Sequence, residues 1–504
     1  MHRKLAGLLA VLLVIAVPLG GALALEAKKL REDIIAGLEL FVGPMAAAPV
    51  AYEEVRVWPQ DGSHRVEITG MTSRGGELGY WADLGDLAFS VEETKAGHYR
   101  VYDLAVPGSV PVYDADGNRF ALLTYDLERF DGVWVVALSN FLELDLLVTD
   151  LRFGLADGTF TLAAERLGGI SRAEQGADGR TDQRAKGRAT VLRAEIPGEG
   201  ALEIAEIEVE TDVTGMDLEA YAQLTQEYEA LAAREGGPSE TDLAAFIQRM
   251  SGLNVLPGSF AERFAVSGVR ATDAAGQTQF RLDRGELDFA ASGFDQALAE
   301  VRFGLKHENL EMGESLRAEV GPMGALAPRN MGLVAALERL PADRIWQSLL
   351  RTLSFMLMQG GREGQDPAAM NQIMMFMLMG EVLPALTEAG TQLKLPHFLV
   401  ESEVASMTAE GAFDVNPTSP QGVTGAMDVA VTGLDDVIAL LEAEVIAGNQ
   451  DAFGALAMAN WMRSLARRET DGESRAVDHY SIRLAADGQM LLNGQPFAAP
   501  IMPR

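Results

Sequence analysis

The sequence predicts an α+β protein of large, twisted antiparallel β-sheets, arranged as meanders, with helices packed at strand-to-helix corners and one N-terminal hydrophobic segment. Three observations predict this fold. Apolar and polar residues alternate over long stretches, Asp-Gly pairs separate many of these stretches, and a strand–glycine–helix pattern recurs. Alternation is the period-2 signature of a half-buried strand. Asp-Gly supplies the positive φ angles of tight hairpins, which favours an antiparallel meander over βαβ units.

The strand–glycine–helix pattern is clearest in Met427–Leu441, which reads MDVAVTGLDDVIALL. Alternating apolar residues predict a strand, Gly433 ends it, and Asp435 or Asp436 is placed to cap the helix that follows. The stretch therefore predicts one strand, a tight corner and a helix.

The same pattern recurs in Val209–Leu224, where Gly215 and Asp217 take the places of Gly433 and Asp435. A looser third copy occurs in Ala291–Val301. Shared ancestry and a shared corner geometry both account for the recurrence. We therefore expect equivalent strand-to-helix corners at Gly215 and Gly433, where glycine permits backbone angles that a side chain disfavours.

Residues 1–25 form a signal peptide or a membrane anchor. Basic residues at Met1–Lys4 precede Leu5–Leu25, 21 residues without a charge. As a helix this segment would be about 31 Å long, enough to cross a bilayer. Pro18 and the small residues at positions 22–24 also suit cleavage by signal peptidase. Both alternatives place the rest of the chain outside the cytoplasm.

The remaining chain divides into three predicted parts. Residues 26–49 form a short amphipathic helix and a linker, with Leu30 and Ile34 on one helix face, either as a spacer or as the first packed element. Residues 50–235 form an N-terminal β-rich domain and residues 236–504 a C-terminal α+β domain with Met-rich helices over 333–386. The polar, glycine-rich stretch Gly168–Gly187 predicts a mobile loop between two strands.

The Met-rich helices are predicted over Leu333–Met358 and Ala368–Leu386. Methionine side chains adapt to irregular apolar partners, and a helix that is apolar around most of its girth needs cover on most sides. The sheet alone, a second subunit and a lipid acyl chain are the three possible covers. The candidate apolar-ligand surface consists of Met356, Met358, Met374, Met375, Met377 and Met379.

Composition and motifs exclude several functions. The net charge of −32 disfavours binding to nucleic acid or to an anionic membrane. The chain has no cysteine, no G-x-S-x-G elbow, no phosphate-binding loop and no H-E-x-x-H, and its six histidines are scattered. The sequence therefore predicts no catalytic residue, no cofactor and no metal site, and we expect a protein that is not an enzyme.

One acidic strand leaves a choice open. Glu206, Glu208, Glu210 and Asp212 share one face at strand spacing. Four carboxylates in this arrangement suit a hard cation such as calcium. The alternative is a solvated strand face that discourages pairing with another chain.

The chain resembles a known group of bacterial proteins. The basic start, the exported hydrophobic segment, the long meanders and the V-T-G corners are similar to AsmA-like envelope proteins. The end, YSIRLAADGQMLLNGQPF, more narrowly resembles an exported alphaproteobacterial family of unknown function that closes with an Asp-Gly turn and Asn-Gly-x-Pro, matched here by Asp487, Gly488, Asn493, Gly494 and Pro496. The resemblance implies an envelope scaffold with lipid as a partner and brings no catalytic residues.

These observations together predict a non-enzymatic protein of the periplasm or cell envelope. It binds lipid or another apolar ligand or assists envelope assembly, and it contacts the inner membrane through residues 1–25 if they are retained. A structural or protein-interaction module of the periplasm is the first alternative. A hydrolase with a dispersed site is the second.

Export is directly testable. We expect an alkaline phosphatase fusion after Arg31 to be active, because Arg3 and Lys4 followed by Leu5–Leu25 direct the chain outward. A well-expressed but inactive fusion would contradict export. N-terminal sequencing of the native protein then distinguishes cleavage after Ala24 from retention as an anchor.

Overall fold

The computed structural model describes residues 30–31, 34–35, 50–60, 62–75, 79–95, 97–136, 140–232, 239–252, 256–360, 380–470, 472 and 475–497. This part of the chain is β-rich, with 59% strand and 22% helix, and its strand pairing is antiparallel. The antiparallel prediction is thereby confirmed, whereas helices contribute less than the predicted α+β class implies. The predicted segment 1–25 lies outside the described residues.

The chain divides into two compact units. The first comprises Met1–Asp212, Asp217–Gln226 and Ala271–Gly276. The second comprises Val213–Met216, Glu227–Arg270 and Gln277–Arg504. Between residues 213 and 276, short segments alternate between the two units. The domain boundary predicted after residue 235 stays a prediction.

The first unit is a meander of long strands. β3 pairs with β1, β2 and β4, and β4 also pairs with β5 and β6. β7 pairs with β5, β6 and β8. β9 lies between β8 and β10. Its strands are β1 (Val50–Ala51), β2 (Glu54–Gln60), β3 (Ser63–Gly75), β4 (Tyr80–Lys95), β5 (His98–Ala105), β6 (Ser109–Tyr113), β7 (Arg119–Val135), β8 (Asn140–Leu155), β9 (Thr161–Gln175), β10 (Thr181–Ile196) and most of β11 (Gly200–Met216).

A continuous apolar core holds the first unit together. Phe89, Val66 and Leu123 are buried in it, together with Leu30 and Ile34 from the helical residues that precede β1. The side chain of Arg31 also donates a hydrogen bond of 2.8 Å from Nε to the carbonyl oxygen of Val55. Of the two alternatives for the N-terminal helix, the structure supports the packed element rather than the spacer.

The prediction of a mobile loop over Gly168–Gly187 is wrong. These residues belong to β9 and β10, which are joined by a short turn at residues 176–180. Gly169 lies opposite Gly187, and Gly168 lies opposite Arg188. The stretch has few apolar residues, and its paired glycines replace the alternation that marks a strand.

The turn prediction at Asp131-Gly132 is also wrong. Gly132 lies inside β7, opposite Val101 of β5 and Leu144 of β8. Asp131 forms an ion pair with Arg100, with 2.6 Å between the closest atoms. A Cβ on Gly132 would lie 2.8 Å from the ring of Phe141, so close packing explains this glycine. Asp116-Gly117 and Asp157-Gly158 form turns, in which both glycines have positive φ.

The second unit is a second antiparallel meander with helices at both ends of its strands. β13 pairs with β14, the order continues through β15, β16, β17 and β18, and β20 follows β18 and also pairs with β19 and β21. β22 pairs with β21. The strands are β12 (Ser259–Asp273), β13 (Thr278–Ser292), β14 (Ala299–Met312), β15 (Asn330–Leu340), β16 (Gln392–Glu401), β17 (Ser406–Val415), β18 (Val423–Thr432), β19 (Arg467–Thr470), β20 (Ala476–Leu484), β21 (Met490–Leu492) and β22 (Gln495–Pro496).

The helices follow or interrupt this meander. α1 and α2 lie between β11 and β12 in the sequence, α3 and a 3-10 turn between β14 and β15, α4 and α5 between β15 and β16, and α6 and α7 between β18 and β19. Their bounds are α1 (Leu218–Ala232), α2 (Glu240–Gly252), α3 (Glu314–Val320), the 3-10 turn Gly321–Leu326, α4 (Ala342–Gly360), α5 (described over 380–389), α6 (Leu434–Ile446) and α7 (Gln450–Leu465).

The predicted Met-rich helix over Leu333–Met358 is wrong in its first part. Residues 333–340 belong to β15, which pairs with β14 on one side and β16 on the other. Helix α4 begins only after Pro341. The apolar run of β15 fits either helix or strand by pattern alone, and pairing with two neighbouring strands decides for the strand.

Both predicted corner glycines lie where a strand meets a helix. Gly433 has a φ of 82° and immediately precedes α6. Gly215 has a φ of 65° at the end of β11, shortly before α1. Asp217 caps α1, since its side chain accepts a hydrogen bond of 2.9 Å from the backbone N–H of Ala220.

Two details of the corner prediction are wrong. Asp435 and Asp436 do not cap α6. The N-cap position is occupied by Gly433, and no side chain makes a capping hydrogen bond there. The third copy is not a helix corner either, since Gly293, with a φ of 79°, opens the turn between β13 and β14.

The corner at Gly433 predicts a measurable difference between two glycines. Gly433 and Gly448 both have positive φ, but a Cβ on Gly433 would lie 2.2 Å from the carbonyl oxygen of Val404, whereas Gly448 has open space. We expect Gly448→Ala to lower the free energy of unfolding by about 1 kcal/mol and Gly433→Ala by roughly 3 kcal/mol. Urea denaturation measures both, and equal losses would contradict the close approach at Gly433.

Candidate functional site

The sheet of the second unit has one charged face and one apolar face over β13–β16. Residues directly opposite each other on neighbouring strands share a face. Phe289 lies opposite Phe303, which lies opposite Ala335. Leu287 lies opposite Leu305 in the same way. Apolar residues therefore continue from strand to strand, because the register aligns the apolar positions of each strand.

We call this apolar surface the open face. The buried residue Ala291 lies on the face of Phe303 but is not counted in the open face. The members of the open face are ten apolar side chains on this face, all of them at least partly exposed. They are Leu287 and Phe289 on β13, Val301, Phe303 and Leu305 on β14, Leu333, Ala335 and Leu337 on β15, and Leu393 and Phe398 on β16.

The large side chains of the open face remain partly in contact with solvent. Between 37% and 43% of the surface of each of five residues is exposed. These residues are Leu287, Phe289, Phe303, Leu337 and Leu393. An amphipathic antiparallel sheet normally packs its apolar face against a core. The open face departs from this rule, since the buried core of the second unit lies elsewhere.

The opposite face of the same strands is covered with ion pairs. Glu286 accepts hydrogen bonds from Arg263 at 2.6 Å and from Arg284 at 2.5 Å. Lys394 forms an ion pair of 2.6 Å with Glu338. Burial works to raise the pKa of Glu286, but the hydrogen bonds from the two arginines outweigh it and hold the pKa below its usual value. This face is therefore suited to water, and the two faces have opposite chemistry.

A helical hairpin covers a different part of the apolar side of the sheet. α6 and α7 pack on β18 and β20, where Val431 and Tyr480 are buried together with Leu434, Ile438 and Leu441. The register places Val431 opposite Met407, and Met407 opposite Val400 of β16. The hairpin thus covers the continuation of the open face and not the opposite, charged face.

Asp435 holds the base of this hairpin. Its carboxylate forms ion pairs with Arg468 and, at 2.9 Å, with Arg463 near the end of α7. Arg468 also approaches the buried carboxylate of Asp478 at 3.8 Å. These contacts join the start of α6, the end of α7 and strands β19 and β20. Asp435 therefore anchors the hairpin and does not act as the predicted helix cap.

His307 follows Leu305 on the same face at the margin of the open face. Burial lowers the pKa of His307, and a hydrogen bond with the backbone of Arg329 opposes this only in part. The imidazole is therefore neutral near pH 7. The margin of the open face stays uncharged at that pH.

The structure does not describe the side chains of the predicted Met-rich surface. Met374, Met375, Met377 and Met379 lie outside the described residues, and so do the side chains of Met356 and Met358, whose backbone belongs to α4. The spacing of Leu287 and Phe289 places both side chains on one face of a strand. Their partial exposure was not predictable from that pattern, because it depends on which elements cover the sheet.

The acidic strand β11 is neutralised by basic residues of β10. Glu206 forms an ion pair with Arg188, Glu210 with Lys186 at 2.6 Å, and Asp212 with Arg184 at 3.2 Å. Hydrogen bonding to Arg188 lowers the pKa of Glu206. Of the two alternatives, the geometry supports a solvated strand face. Within the described ranges, no group of three or more His, Asp or Glu side chains is placed to hold a metal ion.

The five partly exposed side chains of the open face line none of three surface cavities, although Leu305 and Leu333 line one of them. One of about 420 Å³ lies on the charged face near Lys306 and His397, and another of about 420 Å³ lies at the start of α6 beside Arg468. A third, of about 700 Å³, lies in the first unit and is lined by Lys95, His98 and other polar residues. Their linings mix charges of both signs and suggest no particular reaction.

No family model matches the chain, and neither a curated protein nor a solved structure is detectably similar to it. The resemblance to AsmA-like proteins therefore stays a prediction. Among the described residues, no helix is both long enough and apolar enough to span a membrane.

The open face and the packed core differ in burial, so substitutions in them should lower the free energy of unfolding by different amounts. We expect Phe303→Gln to lower the free energy of unfolding by at most about 1 kcal/mol, because the side chain is already partly in water. Leu441→Ala, in the buried core under the hairpin, should cost roughly 3 kcal/mol. Urea denaturation of both variants measures this. A loss at Phe303 as large as that at Leu441 would show that the open face is packed.

Proposed function

We propose that the protein is a non-enzymatic binding protein of the bacterial cell envelope that holds an apolar chain, such as the acyl chain of a lipid, on the open face. The observation that carries this proposal is the exposure of large apolar side chains on four consecutive strands. It takes the place of the Met-rich helices as the candidate binding surface.

The size of the exposed surface supports a functional role. Five side chains that are about 40% exposed contribute on the order of 350 Å² of apolar surface. The largest apolar patch on an ordinary monomeric protein is about 300–600 Å² and often binds a partner. Scattered apolar residues need no such explanation, whereas these five lie on adjacent strands.

The chemistry of the open face suits an apolar chain. None of its described residues is charged, and its polar groups are backbone groups already paired in the sheet. Protein interfaces typically surround an apolar centre with polar side chains that make about one hydrogen bond per 100–200 Å². The open face instead extends over four neighbouring strands, so that β13 and β16 are about 14 Å apart.

The predicted export of the chain supports this proposal. The uncharged segment Leu5–Leu25 is expected to direct the chain out of the cytoplasm, and the resemblance to AsmA-like proteins also suggests the envelope. Lipids with long acyl chains are abundant there. The absence of recognisable catalytic motifs in the sequence favours binding over a reaction.

A titration with a fluorescent fatty acid tests the proposal. We expect the full-length protein to bind the probe and the double variant Phe289→Gln/Phe303→Gln to bind it at least about tenfold more weakly, because both rings lose apolar contact. Ile170→Gln is the matched control, since Ile170 is 48% exposed but lies on β9 in the first unit. Its affinity should equal that of the native sequence.

A photoreactive fatty acid locates the binding surface in the same samples. Labelled peptides should come from β13–β16, and mass spectrometry of organic extracts should identify the natural ligand. Equal affinities in all three proteins, or labelling confined to other elements, would rule out the open face as the binding surface.

A further inference from the structure

The end of the α6–α7 hairpin exposes two large apolar side chains that the proposed binding function does not use. Ile446, the last residue of α6, is 86% exposed, and Phe453, in the first turn of α7, is 67% exposed. They are the two most exposed of the large apolar residues in the described part of the chain. We call the segment 446–453 the hairpin tip.

The tip is held in place rather than loosely attached. Backbone hydrogen bonds from Ala447 to Ala443 and from Asn449 to Glu444 close the end of α6 at 2.9 and 3.0 Å. The side chain of Asn449 also donates a hydrogen bond of 3.0 Å to the carboxylate of Glu444. At the other end of the hairpin, the ion pairs of Asp435 hold the two helices together. The fold therefore presents Ile446 and Phe453 to solvent at a defined position.

The described exposed side chains of α7 before Arg463 carry no charge, and the sequence of α7 contains one acidic residue, Asp451, in the first turn. Phe453, Gly454, Ala455, Ala457 and Met458 are all exposed. Arg463 is the one cationic residue in the sequence of α7, and α6 has none. A surface of this composition gains free energy when it leaves water for an apolar environment.

We propose that the hairpin tip inserts into the surface of an electrically neutral lipid bilayer. Two residues expose too little area for a stable dimer, which needs about 800 Å² per partner. A bilayer requires no such matching surface, because a single apolar side chain partitions into it independently. The hairpin thus gives the protein a membrane contact that is separate from residues 1–25.

The charges near the tip identify the kind of bilayer. Glu442 is exposed and Glu444 partly exposed in the last turns of α6, and no lysine or arginine lies between them and Phe453. Asp451 adds a third acidic residue within the sequence of the tip. An anionic bilayer attracts basic residues and repels acidic ones. The tip therefore suits zwitterionic lipids such as phosphatidylcholine or phosphatidylethanolamine. This inference does not depend on ligand binding by the open face.

An environment-sensitive fluorophore at the tip tests the insertion. The chain has no natural cysteine, so Ala447→Cys, next to Ile446, can be labelled alone in the full-length protein. Vesicles of phosphatidylcholine should shift the emission of this label to shorter wavelength, and lipids with a quencher on the acyl chain should reduce it. Ser464→Cys is the control site, because Ser464 lies in the last turn of α7, about 16 Å from Phe453 along the helix. Its emission should not change, even if residues 1–25 bind the vesicles.

A variant of the tip completes the test. Adding Ile446→Gln and Phe453→Gln to the labelled protein should weaken the vesicle-dependent signal at least about tenfold, and each single change should weaken it by a smaller factor. Three results would overturn the proposal. They are an unchanged label at position 447 with neutral vesicles, a response that requires anionic lipid, and a response to protein concentration without vesicles, which would identify a second copy as the partner.

Discussion

The second unit depends on one constraint, which is that every second side chain of a paired strand points to the same face of the sheet. Each strand from β13 to β18 alternates between apolar and polar or small residues, and the observed register aligns the apolar positions across all of them. A shift of one residue between two strands would place phenylalanines among the ion pairs of the opposite face. The ion pairs Arg263–Glu286 and Lys394–Glu338 are compatible with this register and not with the shifted one.

The helices determine what this apolar face becomes. Where α6 and α7 lie on β18 and β20, the face is buried and Val431 and Tyr480 belong to a core. On β13–β16 the same alternation leaves Phe289, Phe303 and Leu393 partly exposed. The same alternation of apolar and polar residues thus gives a buried apolar face under the helices and a partly exposed apolar face elsewhere on the sheet. Exposure costs stability, because contact with water loses the free energy of burial. A protein that retains such a surface has the opportunity to recover that free energy by binding an apolar partner.

The sequence alone predicted the antiparallel meander and the positions of many turns, because alternation and Asp-Gly pairs report local geometry. It failed where local patterns are ambiguous. Residues 333–340 are an apolar run that fits either a helix or a strand, and only pairing with β14 and β16 decides between them. The glycines of β9 and β10 looked like a loop because the pattern does not show that Gly169 lies opposite Gly187. Leu287 and Phe289 were recognisable as one face of a strand, but their partial exposure is a property of the tertiary structure.

The corner at Gly433 shows how the backbone conformation of one residue affects the tertiary structure. Its positive φ ends β18 and starts α6 within a single residue, and the backbone of Val404 lies too close for a side chain to fit there. The turn directs α6 back over the sheet, where Ile438 and Leu441 become buried. Asp435 then joins the base of α6 to Arg463 and Arg468, so the far end of the hairpin extends with Ile446 and Phe453 exposed. A larger residue at position 433 would therefore disturb more than the local turn. It would displace the helix that covers one part of the apolar face and that carries the most exposed apolar side chains of the second unit.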